Sequence, residues 1–176
     1  GVASVAAAWL YTGGPRPYGY AGLGELFVFV FFGLVPVVFT AYVQTLTITA
    51  AAVVGGIGVG LLSCAILITN NLRDIPGDTV ARKQTLAVRL GDARTRVLYA
   101  VVVVGGLLAV IVLAALTSWL VALALLSGLL AVRPVRMVLG GASGPALIPA
   151  LKQTGLLLLA YGVSAGALLA LAGRLN

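Results

Sequence analysis

Long apolar runs, each closed by a short group of polar or turn-forming residues, divide this chain. Residues 23–43 form the first run long enough to cross a bilayer, with Pro36 as a candidate kink. Residues 48–68 form the second, set off by the brief Gln-Thr-Leu-Thr at 44–47. A spanning helix needs roughly 20 apolar residues. The runs at 97–116 and 148–171 meet that length. The run at 119–132 is shorter and reaches it by drawing on the interfacial Arg-Pro-Val-Arg-Met-Val-Leu-Gly-Gly that follows. Residues 2–10 are apolar but too few, and read as the end of an earlier helix. Residues 11–22, rich in Gly and Pro, read as a loop. A polar stretch at 69–96 separates the second and third spans. The pattern predicts an all-α polytopic transmembrane helix bundle, about five full spans plus the end of another, forming one transmembrane domain over residues 1–176.

Composition sharpens this. The chain is 61% hydrophobic and 9% charged, where a soluble domain carries about 25% charged residues. So little charge cannot cover a water-facing surface, and the partner for most of the chain is the lipid bilayer. The net charge of +7 does not indicate nucleic acid, because the basic residues lie between apolar runs and form no stripe. Ten of the eleven fall on the face that holds the 69–96 stretch, face A; Arg174 alone falls on the other. That asymmetry predicts that face A is cytoplasmic. All four acids (Glu25, Asp74, Asp78 and Asp92) also lie on face A, so any ionic chemistry belongs at that rim. There is no histidine and a single cysteine, Cys64. An internal disulfide is thereby excluded and a zinc site argued against; Cys64 reads as a small packing residue. The 23 glycines, several in Gly-Gly-Ile-Gly-Val-Gly at 55–60, read as close-packing positions between spans.

One polar stretch stands out: Ile-Thr-Asn-Asn-Leu-Arg-Asp-Ile-Pro-Gly-Asp at 68–78. Asp74 and Asp78 are spaced i, i+4, which on a helix puts both on one face. Pro76 and Gly77 intervene, so the expectation is a helix that ends near Asp74 and another that begins at Asp78 as its N-cap. The two carboxylates can still converge across such a break. Carboxylates and amide oxygens without histidine suit a hard cation such as Mg²⁺. Arg73, Arg82 and Lys83 would bind phosphate oxygens. Residue types alone leave two readings open: a metal-bridged diphosphate site, or a structural loop with Asp as a cap and Arg as an orientation signal.

The string NNLRDIPGDTVARKQTLAVRLG at 70–91 resembles the second aspartate-rich motif of the UbiA superfamily of intramembrane aromatic prenyltransferases. YTGGPRPYGYAGLGELFVFVFFGLV at 11–35 and LIPALKQTGLLLLAYG at 147–162 resemble the branch of that family that prenylates 1,4-dihydroxy-2-naphthoate in menaquinone synthesis. The resemblance implies an all-α membrane enzyme of the bacterial cell membrane, with its site facing the cytoplasm. Its partners would be a polyprenyl diphosphate and an aromatic acceptor. It implies that Asp74 and Asp78 hold Mg²⁺, and that Asn70, Asn71, Arg73, Lys83 and, with less support, Arg82 bind the diphosphate. Arg16 and Tyr18 are weaker matches. The family also has an earlier aspartate motif, whereas the only acid here before Asp74 is Glu25. The chain is therefore expected to be the C-terminal portion of a longer enzyme. Another aromatic acceptor (4-hydroxybenzoate, homogentisate) remains an alternative. A membrane transporter or scaffold is a third reading, but ionisable residues should then line a pathway within the spans.

Overall fold

Backbone N–H and C=O groups find no water in hydrocarbon, so each apolar run must close its hydrogen bonds on itself. In the computed structural model five helices long and apolar enough to cross a membrane do so among the described residues. They are α1 (Gly24–Thr45), α2 (Ala50–Val80), α3 (Leu86–Leu116), α4 (Trp119–Leu139) and α5 (Ile148–Leu175), the last entered through a 3₁₀ turn at Gly144–Leu147. The structure describes residues 22–175 and, before them, Val2, Val5 and Trp9, which are helical. The rest of the expected span end at 2–10 and of the loop after it, Arg16 and Tyr18 included, lies outside the described residues.

The chain is an integral membrane helical bundle, and α2 is its centre, packed by α1, α3 and α5. Leu62, Ala65 and Ile68 of α2 meet Tyr99, Val103 and Val110 of α3 and Leu157 and Tyr161 of α5, all buried. Lipid tails are as apolar as these side chains, so close packing and buried hydrogen bonds hold such helices together. Both are present. A Cβ on Gly33 would overlap the backbone of Gly60, so α1 and α2 cross with almost no side chain between them. A Cβ on Gly58 would overlap the Tyr161 hydroxyl of α5. Tyr99 and Thr154 share a buried hydrogen bond of 2.8 Å between α3 and α5. The glycines at 56–60 thus serve packing as expected, whereas Gly155, Gly162, Gly166 and Gly173 face open space.

Four details differ from the sequence expectation. First, α2 does not break at Pro76–Gly77. It runs unbroken to Val80 with Pro76 inside it, and Asp78 is not an N-cap. Pro76 stands one turn from the end, so the lost N–H removes one backbone bond and no long helix remains beyond it to be disrupted. Second, most of 69–96 is helical. Thr85, not Asp78, caps α3, accepting from the Val88 N–H at 3.4 Å. The Leu86–Leu116 helix is interrupted only at Gly91, whose φ of 75° is left-handed. Third, α1 widens into a π-helix at Phe29–Leu34, and Pro36 sits at the start of the α-helix that resumes after it. Fourth, α4 is a 3₁₀ helix over Trp119–Ala131 before becoming α-helical at Val132–Leu139. At about 2.0 Å per residue, that form carries the short apolar run further than an α-helix would. Arg96 ties the face A ends of α3 and α4 together: Nε and Nη2 donate to Asp92 at 2.6 and 2.7 Å, and Nη1 donates to the Val138 carbonyl.

The Gly58–Tyr161 contact gives a test. The Tyr161 hydroxyl is buried with no hydrogen-bond partner among the described residues, so Tyr161→Phe should be close to neutral. Gly58→Ala should cost about 1–3 kcal/mol by overpacking. The double variant should recover part of that loss in thermal unfolding; strict additivity would show that the two residues do not meet.

Candidate active site

Because α2 is continuous, Asn70, Asn71, Asp74 and Asp78 stand on successive turns at its face A end. Asn70 lines a cleft of about 390 Å³ with Leu67 of α2, Val28 and Phe32 of α1, and Leu151 and Leu158 of α5. Ser63 is the other polar residue in that wall, and its hydroxyl donates to its own helix at the Val59 carbonyl, 2.8 Å away. The cleft is therefore apolar below and amide-tipped above.

The two aspartates are held by cations that the sequence assigned to phosphate. Arg73 forks onto Asp74, Nε to Oδ1 at 2.7 Å and Nη2 to Oδ2 at 2.8 Å. Such bidentate pairs are geometrically specific. Lys83 Nζ lies 3.4 Å from Asp78 Oδ1. The backbone explains how a residue beyond the helix reaches back. The Lys83 N–H donates to the Asp78 carbonyl at 2.9 Å and the Arg82 N–H to the Thr79 carbonyl at 3.1 Å. This is the Schellman closure of a helix C-terminus, which turns the chain over its last turn. It requires a left-handed residue, and that residue is Arg82, with φ of 56°. The position normally belongs to glycine.

Glu25 is the residue that sequence reasoning missed. It lies at the start of α1, and its Oε1 accepts from Asn71 Nδ2 at 3.0 Å. Cys64 Sγ donates to the Glu25 backbone carbonyl at 3.1 Å, adding a specific contact to the packing role expected of that residue. Glu25 Oε2 is buried with no partner among the described residues. Of the four acids, Asp74, Asp78 and Asp92 pair with Arg73, Lys83 and Arg96, which leaves Glu25 as the carboxylate held by an amide. The sequence held a signal for it, a lone acid opening a span on the same rim as the motif. The i, i+4 logic that found the aspartates cannot reach across 46 residues.

These residues form a rim of carboxylates, amides and cations above an apolar cleft in a membrane-embedded helix bundle. Among the described residues no three acids or cysteines cluster as a metal cage. Two carboxylates one turn apart, with amide oxygens beside them, do fit a hard divalent ion that keeps waters and takes its remaining oxygens from a phosphate ligand. The chain belongs to the UbiA prenyltransferase family, whose model matches residues 1–142. It is 48% identical over 170 residues to 1,4-dihydroxy-2-naphthoate octaprenyltransferase of Mycobacterium tuberculosis, covering 96% of this chain and 58% of that protein. It is 48% identical over 177 residues to the Mycobacterium leprae protein of the same name, covering 100% of this chain and 60% of that protein. The Escherichia coli protein of that name is 45% identical over 105 residues, 60% of this chain and 34% of its own length. The chain thus spans about three fifths of the mycobacterial relatives. No solved structure matches it.

The strained corner at Arg82 is testable. A left-handed non-glycine residue costs about 1–2 kcal/mol, part of which glycine offsets through its own entropy loss. Arg82→Gly should therefore raise stability by up to about 1 kcal/mol in thermal unfolding, and Arg82→Ala should not. Equal effects of the two would show that the turn is not strained.

Proposed function

We propose that this chain forms the diphosphate-binding half of a Mg²⁺-dependent membrane prenyltransferase that moves a polyprenyl group from its diphosphate onto 1,4-dihydroxy-2-naphthoate. The observation that carries this reading is the juxtaposition at the end of α2: two aspartates, each in contact with a cation, one and two turns above the amide of Asn70 at the mouth of an apolar cleft. The names of the mycobacterial relatives supply the acceptor.

A polyprenyl tail of tens of carbons gains on the order of 20–30 kcal/mol on leaving water, at about 0.8 kcal/mol per CH₂. The enzyme must meet such a tail in the bilayer. The cleft walls of Leu67, Phe32 and Leu158 would receive the tail, and Asn70 would mark where apolar chain gives way to diphosphate. Asp74 and Asp78 would hold the ion. When bound, Mg²⁺ supplies positive charge to the leaving diphosphate. Lys83, carried over the helix end by the Schellman turn, would bind diphosphate oxygens, as would Arg73 through the edge of its guanidinium not taken by Asp74. Arg82, projecting from the strained corner, would add a third cation where backbone strain is tolerated for the sake of the site. Glu25 would orient the Asn71 amide, leaving its Oδ1 free to accept a hydrogen bond or face a cation. The apolar walls would exclude water from the allylic cation that forms as the C–O bond breaks. Face A, with ten basic residues, would be the cytoplasmic side of a bacterial cell membrane.

In the full-length enzyme, Asp74→Asn and Asp78→Asn keep shape and remove charge. Each should reduce prenyl transfer to background while thermal unfolding stays near that of the parent, and Mg²⁺-dependent binding of a prenyl diphosphate should weaken in parallel. Full turnover in the double variant would place the metal elsewhere. Orientation has its own test. In a Cys64→Ala background, Gln84→Cys and Arg174→Cys should react with a membrane-impermeant maleimide from opposite sides, position 84 from the cytoplasm. Labelling of both from one side would break the five-span topology.

A further inference from the structure

A second cleft, of about 240 Å³, lies between α4 and α5 and is lined by Leu129, Leu130, Arg133, Gln153 and Leu156. It is separate from the candidate active site. Leu151 and Leu158 of α5 turn toward the first cleft, whereas Gln153 and Leu156 lie on the other side of that helix. On a helix of 3.6 residues per turn the two pairs are roughly opposite. Leu129, Leu130 and Leu156 are among the exposed large apolar residues, so this notch opens to lipid. Its polar groups are unspent. Arg133 is exposed and makes no ion pair or side-chain hydrogen bond among the described residues. Gln153 Oε1 is closed off from solvent with no donor to satisfy it. A buried acceptor without a donor is unusual, and a lipid-facing arginine is costly unless it reaches a headgroup.

We infer that this notch binds an anionic phospholipid whose headgroup carries a hydroxyl, phosphatidylglycerol being the simplest. Arg133 lies six residues before the end of α4 at Leu139, roughly 9 Å below it at 1.5 Å per residue. Its long apolar stem lets the guanidinium rise to phosphate depth. Basic pockets between spans on the cytoplasmic side suit anionic headgroups. The phosphate meets Arg133 and the acyl chains lie on the three leucines; Gln153 is only half-buried, and a turn of its amide brings the unsatisfied Oε1 out to accept from the glycerol hydroxyl. Phosphatidylcholine fits worse on two counts: its headgroup is neutral overall, and its quaternary ammonium has no N–H or O–H to donate.

Native mass spectrometry of the whole chain released from detergent, titrated with single lipids, tests this. Phosphatidylglycerol should be retained at least about tenfold more tightly than phosphatidylcholine, the effect of one charge-assisted hydrogen bond. Arg133→Gln should bring the two within about twofold. Gln153→Leu should lower phosphatidylglycerol to the level of phosphatidylmethanol, which keeps the single phosphodiester charge and lacks the headgroup hydroxyl. Arg136→Gln, on the same rim but outside the notch, should change retention less than twofold. A photoactivatable phosphatidylglycerol should crosslink to residues 129–133 or 153–156 of the unaltered chain, which keeps the test valid if a variant fails to fold. An Arg136→Gln loss equal to that of Arg133→Gln would assign the preference to diffuse rim charge and overturn the site. Crosslinks mapped elsewhere, or competition by glycerol 3-phosphate as effective as by the lipid, would overturn it as well.

Discussion

Water is absent from the interior of a bilayer, and each feature of this chain answers to that absence. Backbone groups must pair within their own helix, so the connections between spans are brief and lie at the rims. Ionised side chains must pair or reach the headgroups, so all four acids gather on one face. Helices cannot be driven together by excluding water from apolar faces, so they approach through glycine. The crossing of α1 and α2 at Gly33 and Gly60, and of α2 and α5 at Gly58 and Tyr161, set the two distances that fix the cleft between those three helices.

The rim chemistry follows from the same constraint. Asp74 at the end of α2 is met by the fork of Arg73, and Asp78, more deeply buried, by Lys83. These pairs hold negative and positive groups side by side at the end of α2. The proposed metal-bridged diphosphate would call on both signs of charge within reach of one ligand. Arg96 and Asp92 show the contrasting case. Their pair is completed by the Val138 carbonyl of α4, so it fastens two helices.

Legibility in the sequence varied with the range of the interaction involved. The five spans could be read because each depends only on a run of apolar residues. The break expected at Pro76 did not occur, because local propensity weighs a lost N–H and a clash without knowing that the helix ends one turn later. The 3₁₀ form of α4 left a trace that a search for helix or strand periods passes over. Leu120, Leu123, Leu126 and Leu129 recur every third residue, and Val121, Ala124 and Ser127 form the buried row beside them. A three-residue repeat is the register of a 3₁₀ helix. In a stretch apolar on every side it carries little amphipathic contrast.

The sequence by itself determined what depends on composition and neighbours along the chain: that the protein lives in lipid, where its spans run, which face carries its charge, and which short stretch holds carboxylates, amides and cations together. It also carried the family resemblance, since a motif is a local string. Only the tertiary structure decided which of those groups meet. Glu25 reaches Asn71 across 46 positions, Tyr161 fills the space that Gly58 leaves, and Arg133 and Gln153 share a notch on the lipid side of the bundle. Each of these contacts depends on how helices cross and rotate about their axes, which is set by the summed fit of many side chains and not by any residue's immediate neighbours.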